Sequence, residues 1–198
     1  MADFRPELDD VLRVMSEKNH RIYAHPGGFD LNLVGIRTRS MVPHRFDDWV
    51  TVFYRSHGRW IYMAFPATTD PGVYWLGNPM NTFGTAVLKE GQYRSAYRIG
   101  THKGYKALEQ NSPLTVIRDY NRDGVIDYAS GREDTGMFKL NIHRASRFNE
   151  SVNVDRWSAG CQVLCDPLQF NYFLSVCEKG AAAFGNTFTY TLLHERDF

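Results

Sequence analysis

The sequence predicts a mainly β protein, a β-sandwich or barrel, with a short N-terminal helix and one helix near the C-terminal end. Three observations point there. Aromatic residues make up 14% of the chain, and Tyr, Phe and Trp suit pleated, half-buried surfaces. Short runs rich in Val, Ile, Tyr, Phe and Trp recur along the chain, and Gly, Pro, Asn and Asp clusters separate them, which is the spacing of sandwiches and barrels. At 198 residues the chain is long enough for one large core and short for two.

Residues 6–18 place Leu8, Val11, Leu12 and Met15 at helical spacing behind Pro6, with acids early in the segment; this predicts a short amphipathic helix. His25-Pro26-Gly27-Gly28 ends it, and residues 29–37 alternate as a strand. The runs Trp49-Val-Thr-Val-Phe-Tyr and Trp60-Ile-Tyr-Met-Ala-Phe flank a break that contains Gly58, predicting a β-hairpin. Further strands are expected over 73–76, 85–88, 96–99, 114–118, 138–143, 162–164 and 187–193. A helix is expected over 167–184, with Leu168, Tyr172, Val176 and Cys177 on one face and Gly185 at the stop position. No repeat or linker divides the chain, so residues 1–20 read as a helical extension and 21–198 as the main domain.

A formal net charge of +1 with interleaved signs leaves no basic stripe for phosphates, which argues against nucleic acid as a partner. No 18-residue apolar span occurs, and the N-terminus has neither a basic nor an apolar leader segment, so neither a membrane span nor ordinary secretion is expected. Cys161, Cys165 and Cys177 are an odd set, a poor disulfide framework that also lacks the paired spacing of zinc modules.

Chemistry concentrates in two segments, Leu140-Asn-Ile-His143-Arg144 and Trp157-Ser158-Ala159-Gly160-Cys161-Gln162. A thiol with an ordinary pKa of about 8.5 needs a neighbouring imidazole to become an effective nucleophile near neutrality. His143 is the candidate base and Cys161 the candidate nucleophile. The small Ala159-Gly160 pair lets backbone N–H groups approach a developing oxyanion. Taken singly, Cys161 reads more readily as a small buried hydrophobe and His143 as a satisfied or surface residue, and the pair gains weight only together.

The stretch from His143 to Ser158-Ala159-Gly160-Cys161 resembles the active-site signature of L,D-transpeptidases, the YkuD-like family, in which a His is followed by a loop and then Ser/Thr-His-Gly-Cys. Upstream, Thr69-Asp70-Pro71-Gly72-Val73-Tyr74 is similar to the family's Thr-Pro-x-Gly-x-Phe/Tyr segment. The resemblance covers about residues 65–165. Ala159 stands where the family usually carries a second His, and Arg144 replaces a small residue.

The resemblance implies a β-fold catalytic domain over 21–198 that needs no cofactor for its reaction. It further implies an acyl-enzyme on Cys161, His143 as base, oxyanion donors around Gly160, and peptidoglycan stem peptides as substrate. Such a substrate implies release by lysis, injection or a non-standard export route, as for a phage lysin. Arg144 and Arg156 flank the site in sequence and are candidates for binding a substrate carboxylate. His102 and Tyr105, in Ile99-Gly-Thr-His-Lys-Gly-Tyr, are candidates for a substrate wall or a plain hairpin loop. The competing reading is a non-catalytic cell-wall-binding or phage structural module of the same fold.

A separate motif, Asp119-Tyr-Asn121-Arg-Asp123-Gly124-Val-Ile-Asp127, matches the first nine positions of a calcium loop, with Ser130 at the twelfth in place of a bidentate Glu. It reads either as a structural Ca2+ site or as a polar turn.

Overall fold

The computed structural model describes residues 4–40, 43–128 and 131–198. The strands are β1 (Asn32–Arg37), β2 (Asp48–Ser56), β3 (Arg59–Thr68), β4 (Thr85–Leu88), β5 (Gly91–His102), β6 (Tyr105–Gln110), β7 (Leu114–Asp119), β8 (Arg132–Gly136), β9 (Ile142–Arg144), β10 (Gln162–Leu164) and β11 (Phe188–His194), and the helices are α1 (Leu8–Glu17), α2 (Val73–Gly77) and α3 (Pro167–Phe184). Eight of these strands close a barrel in the order β1-β11-β5-β6-β9-β10-β3-β2, and β4-β7-β8 form a separate three-stranded sheet. The fold is mainly β. Among the described residues no helix is long and apolar enough to cross a membrane.

Two helices sandwich part of the barrel wall. Val11, Val14 and Met15 of α1 pack against Val34, Ile36, Phe53 and Leu193. On the other side, Phe170, Phe173, Leu174 and Cys177 of α3 share a core with Leu33, Val50, Val52 and Phe65. Strand β1 is therefore buried along its whole length, because alternate residues of a strand face opposite sides. The segment before α1 is fastened by Trp49 Nε1 donating to Phe4 O at 3.0 Å and Tyr62 Oη donating to Pro6 O at 2.9 Å.

The β2–β3 hairpin turns at His57 and Gly58, and the β5–β6 hairpin at Lys103 and Gly104, all with positive φ, as two-residue turns with two left-handed positions require. Thus Ile99-Gly-Thr-His-Lys-Gly-Tyr is a hairpin whose strands run through His102 and Tyr105. In α3, Asp166 caps the N-terminus through Leu168 N at 2.7 Å and Gly185 follows its end. Its buried face, however, differs from the expected one: Leu168 and Tyr172 are exposed, and Phe170, Phe173 and Leu174 face inward with Val176 and Cys177.

Three expected strands change. Residues 73–76 form helix α2 instead. A four-residue apolar run does not distinguish strand from helix by period, and Gly72 sets its entry, with its N–H donated to Ser158 O at 2.9 Å. Over 29–37, pairing starts only at Asn32 because Phe29 has φ 58°. Over 138–143, Lys139 has φ 60° and only Ile142 onward pairs. Strand β8 was not expected, because Arg-Glu-Asp-Thr-Gly carries no apolar alternation.

A charged knot lies inside. Arg37, 1% exposed, pairs with Asp70 at 2.8 Å and donates to Thr69 O and Leu88 O. Asp70 accepts from Tyr128 Oη at 2.7 Å, and Asp48 accepts from Thr38 and Thr69. Burial, reinforced by the Asp70 charge, pushes the Asp48 carboxyl up to about 7.

At Gly35 a Cβ would lie 1.9 Å from Tyr190 Oη, and that hydroxyl donates to Gln162 Oε1 at 2.8 Å, one residue after Cys161. Gly35→Ala is expected to destabilise the protein by about 1–3 kcal/mol through overpacking, measured by urea unfolding, with Tyr190→Phe recovering part of the loss.

Candidate active site

The site forms where β5, β6, β9 and β10 end near β4 and α2. A cavity of about 1000 Å³ opens there, at the upper end of the range for small-molecule sites. Both Cys161 and His143 line it, together with His102, Asn141, Arg156 and Ala159. The parallel pairing of β9 with β10 sets Gln162 opposite Ile142 and Val163 opposite His143. This brings the two sequence segments to one end of the barrel.

His143 is 2% exposed. Its Nδ1 lies 2.8 Å from Arg144 O, and a carbonyl only accepts, so Nδ1 carries the hydrogen and Nε2 of the neutral ring keeps a lone pair. Among the described residues that Nε2 has no hydrogen-bond partner. Burial and then the neighbouring His102 lower the His143 pKa to about 3.

The His102 ring stacks on His143, centroids 4.0 Å apart and planes 10° from parallel. Asn141 Oδ1 accepts from Gln110 N at 3.0 Å, which turns the Asn141 amide nitrogen toward His102 Nδ1 at 3.1 Å. His102 Nδ1 is therefore an acceptor and its ring neutral, consistent with a pKa lowered to about 4 by burial and then by Lys103 and Arg144.

Cys161 is 9% exposed. Its Sγ accepts from Asn141 N at 3.4 Å and points its own hydrogen toward Lys139 O at 3.6 Å. The thiol is not hydrogen-bonded to His143. Burial pushes its pKa up to about 11, against lowering contributions from the Asn141 N–H and Lys103. The resting pair is thus a neutral thiol and a neutral imidazole.

The turn that presents Cys161 is held from within. Ser158 Oγ donates to Cys161 O at 2.8 Å and accepts from Gly160 N at 3.1 Å, while Gln162 Nε2 donates to Gly160 O at 3.3 Å. Gly160 has φ 118°, and a Cβ there would lie 2.3 Å from Ala86 O. The expectation that the Gly160 N–H faces a substrate oxyanion is corrected, because Ser158 Oγ takes that donor. Ser158 and Gly160 position the turn, and neither lines the cavity.

Two candidate substrate residues also move. Arg144 and Tyr105 do not line the cavity: the Arg144 guanidinium lies 4.1 Å over the Tyr105 ring, and Tyr105 Oη donates to Arg144 O at 3.2 Å. The pair braces the carbonyl that orients His143. Arg156 does line the cavity, 3.9 Å over the Tyr74 ring. Lys103, from the same hairpin as His102, and Lys139 line it as well. Arg98 and Arg118, also in the lining, are paired with Glu109 and Asp134. Lys103, Lys139 and Arg156 have no ion pair among the described residues, so the cavity favours anionic groups. Trp75, Phe138 and Trp157 add aromatic wall.

No family model, no curated protein and no solved structure matches this chain. The site therefore rests on its own geometry. Of the motif at 119–127, Asp119 ends β7 and Asn121, Asp123 and Asp127 lie in the loop that follows, and Ser130 falls outside the described residues. Among the described residues no three Asp, Glu, His or Cys side chains stand as a ready-made metal cluster.

Cys165 is 2% exposed and Cys177 fully buried, and neither lines the cavity. Iodoacetamide is expected to label Cys161 first, with a rate that climbs steadily with pH toward about 11, since the thiolate fraction rises tenfold per pH unit below the pKa. Peptide mass mapping over pH 7 to 10 checks both points. An inflection near or below pH 7 would mean a pre-ionised thiol.

Proposed function

We propose that the protein is a cysteine-dependent acyl-transfer enzyme acting on peptidoglycan stem peptides, as an L,D-transpeptidase or, with water as acceptor, as an L,D-carboxypeptidase or endopeptidase. The observation that carries the reading is the His143 ring, with Nδ1 tied to Arg144 O and the unpartnered Nε2 buried in a wall of the cavity that Cys161 also lines. A buried imidazole of fixed tautomer with a free lone pair, lining the same cavity as a thiol, has the makings of a general base.

On this reading the Cys161 Sγ–H gives up its contact with Lys139 O as substrate enters and transfers its proton to His143 Nε2. Sulfur bonds to the stem-peptide carbonyl carbon, and the oxyanion is met by backbone N–H groups of the 159–161 turn other than that of Gly160. Collapse breaks the C–N bond, and the leaving amine takes the proton from His143. An amine or water then attacks the thioester with His143 again accepting the proton, and the thiol is regenerated. Because thiol and imidazole start neutral, proton transfer and attack belong to the same step. Stem peptides carry carboxylates, which suit Lys103, Lys139 and Arg156.

The second reading is a non-catalytic module that binds cell-wall peptides with the same cavity. It is favoured by the bonding of the Cys161 thiol away from His143. Incubation with a tetrapeptide-stem muropeptide, followed by intact-protein mass measurement, separates the two. An acyl adduct that is absent in Cys161→Ala, and turnover reduced at least 100-fold in His143→Gln, is the expected outcome. Binding without adduct or product would support the module.

A further inference from the structure

The loop 119–127 has a feature that the acyl-transfer reading does not use. Asp119 is fully buried. Its Oδ2 accepts from Asp127 N at 2.9 Å, so its carboxylate is turned into the loop, yet its Oδ1 has no partner among the described residues. A buried carboxylate oxygen without a donor is costly, and native proteins rarely keep one without a ligand to meet it.

Three further polar residues of the motif, Asn121, Asp123 and Asp127, are hydrogen-bonded to one another in the same loop. Asn121 Nδ2 donates to Asp123 Oδ2 at 3.0 Å and to Asp127 Oδ2 at 2.7 Å, so a neutral amide bridges two carboxylates. Gly124 has φ 81°, which gives the sharp turn a calcium loop needs at its sixth position.

We infer that loop 119–127 is a calcium site, with Asp119 Oδ1 as its buried ligand and Asp123, Asp127 and the Val125 carbonyl around it. Asn121 joins them by exchanging its amide nitrogen for its oxygen. Oxygen donors at alternate positions suit Ca2+, whereas Mg2+ demands tight octahedral geometry and retains water. The ligand set is of the weaker class, because the twelfth position is Ser130 and not a bidentate Glu.

The site would brace the cavity from behind. The Asp119 carbonyl lies against Gly84, where a Cβ would come within 2.1 Å of it, and both Gly84 and the adjacent Arg118 line the cavity. At the far end of the loop, Ile126 is buried with Leu76 of α2 and Val87 of β4. Tyr128 reaches the Arg37–Asp70 pair.

The test is calorimetric titration of the chelator-treated full chain with CaCl2, and separately with MgCl2, alongside thermal unfolding. The expected result is one Ca2+ per chain with a Kd of roughly 10⁻⁴–10⁻³ M. Tm should rise by roughly 3–5 °C at a tenfold excess over Kd. Affinity should fall at least tenfold in both Asp119→Asn and Asp123→Asn. Asp123 is exposed, so its variant reports on the site even if the buried Asp119 variant does not fold. No heat and no Tm shift up to about 10 mM Ca2+, tenfold above that range, would overturn the inference. So would an equal response to Mg2+, or unchanged binding in folded Asp123→Asn. None of these readouts involves Cys161, so they stand or fall apart from the acyl-transfer reading.

Discussion

Residues 137–141 run beside β6 without pairing to it as a strand, and the side chain of Gln110 takes over the missing ladder. Its Oε1 accepts from Phe138 N at 2.9 Å and Leu140 N at 3.1 Å, and its Nε2 donates to Gly136 O at 2.8 Å. Asn141 continues the substitution: Oδ1 accepts from Gln110 N, Nδ2 meets His102, the backbone N–H meets the Cys161 sulfur, and the carbonyl accepts from Gln162 N at 2.9 Å. One residue thereby ties the sulfur to His102, the ring on which His143 stacks. An ordinary ladder would have engaged the backbone of 138–141 with β6, and the amide at Asn141 would not have been free to hold the thiol.

The second constraint is the buried ion pair of Arg37 and Asp70, with Asp48 beside it. It joins β1, the start of β2, the Thr69-Asp70-Pro71-Gly72 turn and the end of the 119–128 loop in one hydrogen-bonded unit. Breaking a buried pair on one side typically costs about 3–5 kcal/mol, while replacing the whole set by apolar residues can be neutral. Its retention fits a role in fixing the turn against the Cys161 segment, where Gly72 N meets Ser158 O. Stability alone gives a weaker reason to keep Arg37, Asp70 and Asp48 buried together.

Elements with strong local signals were legible in the sequence. The β2–β3 hairpin, α1, β4, β7, β10 and the full extent of α3 follow from apolar runs, turn residues and caps near in sequence. What failed was decided by distant partners. Residues 73–76 carry apolar side chains in either state, and contact with the 154–158 segment chooses helix. Strand β8 exists because β7 offers it an edge. Cys161 and His143 could be nominated as a pair, and the structure brings both to one cavity. The duties of Gln110, Asn141 and Gln162 could not be nominated, since an amide that replaces a strand partner reads in sequence like any polar residue. The same limit explains Arg144 and Tyr105: proximity to His143 along the chain suggested contact with a ligand, whereas stacking turns them toward each other.

The parallel rings of His102 and His143 have a consequence for how long charge can dwell between them. Asn141 donating to His102 Nδ1 commits that ring to its uncharged form, while at His143 burial and the stacked His102 outweigh the Arg144 carbonyl, whose bond to Nδ1 favours the charged ring. Were a proton to reach His143 Nε2, it would meet no hydrogen-bonding carboxylate among the described residues and would face a second imidazole at stacking distance, in a wall also lined by Lys103. Such a proton is poorly stored and readily surrendered to the next acceptor. On the acyl-transfer reading, the stack would give that proton only a shallow resting place, in contrast to triads in which an acidic side chain steadies the cation.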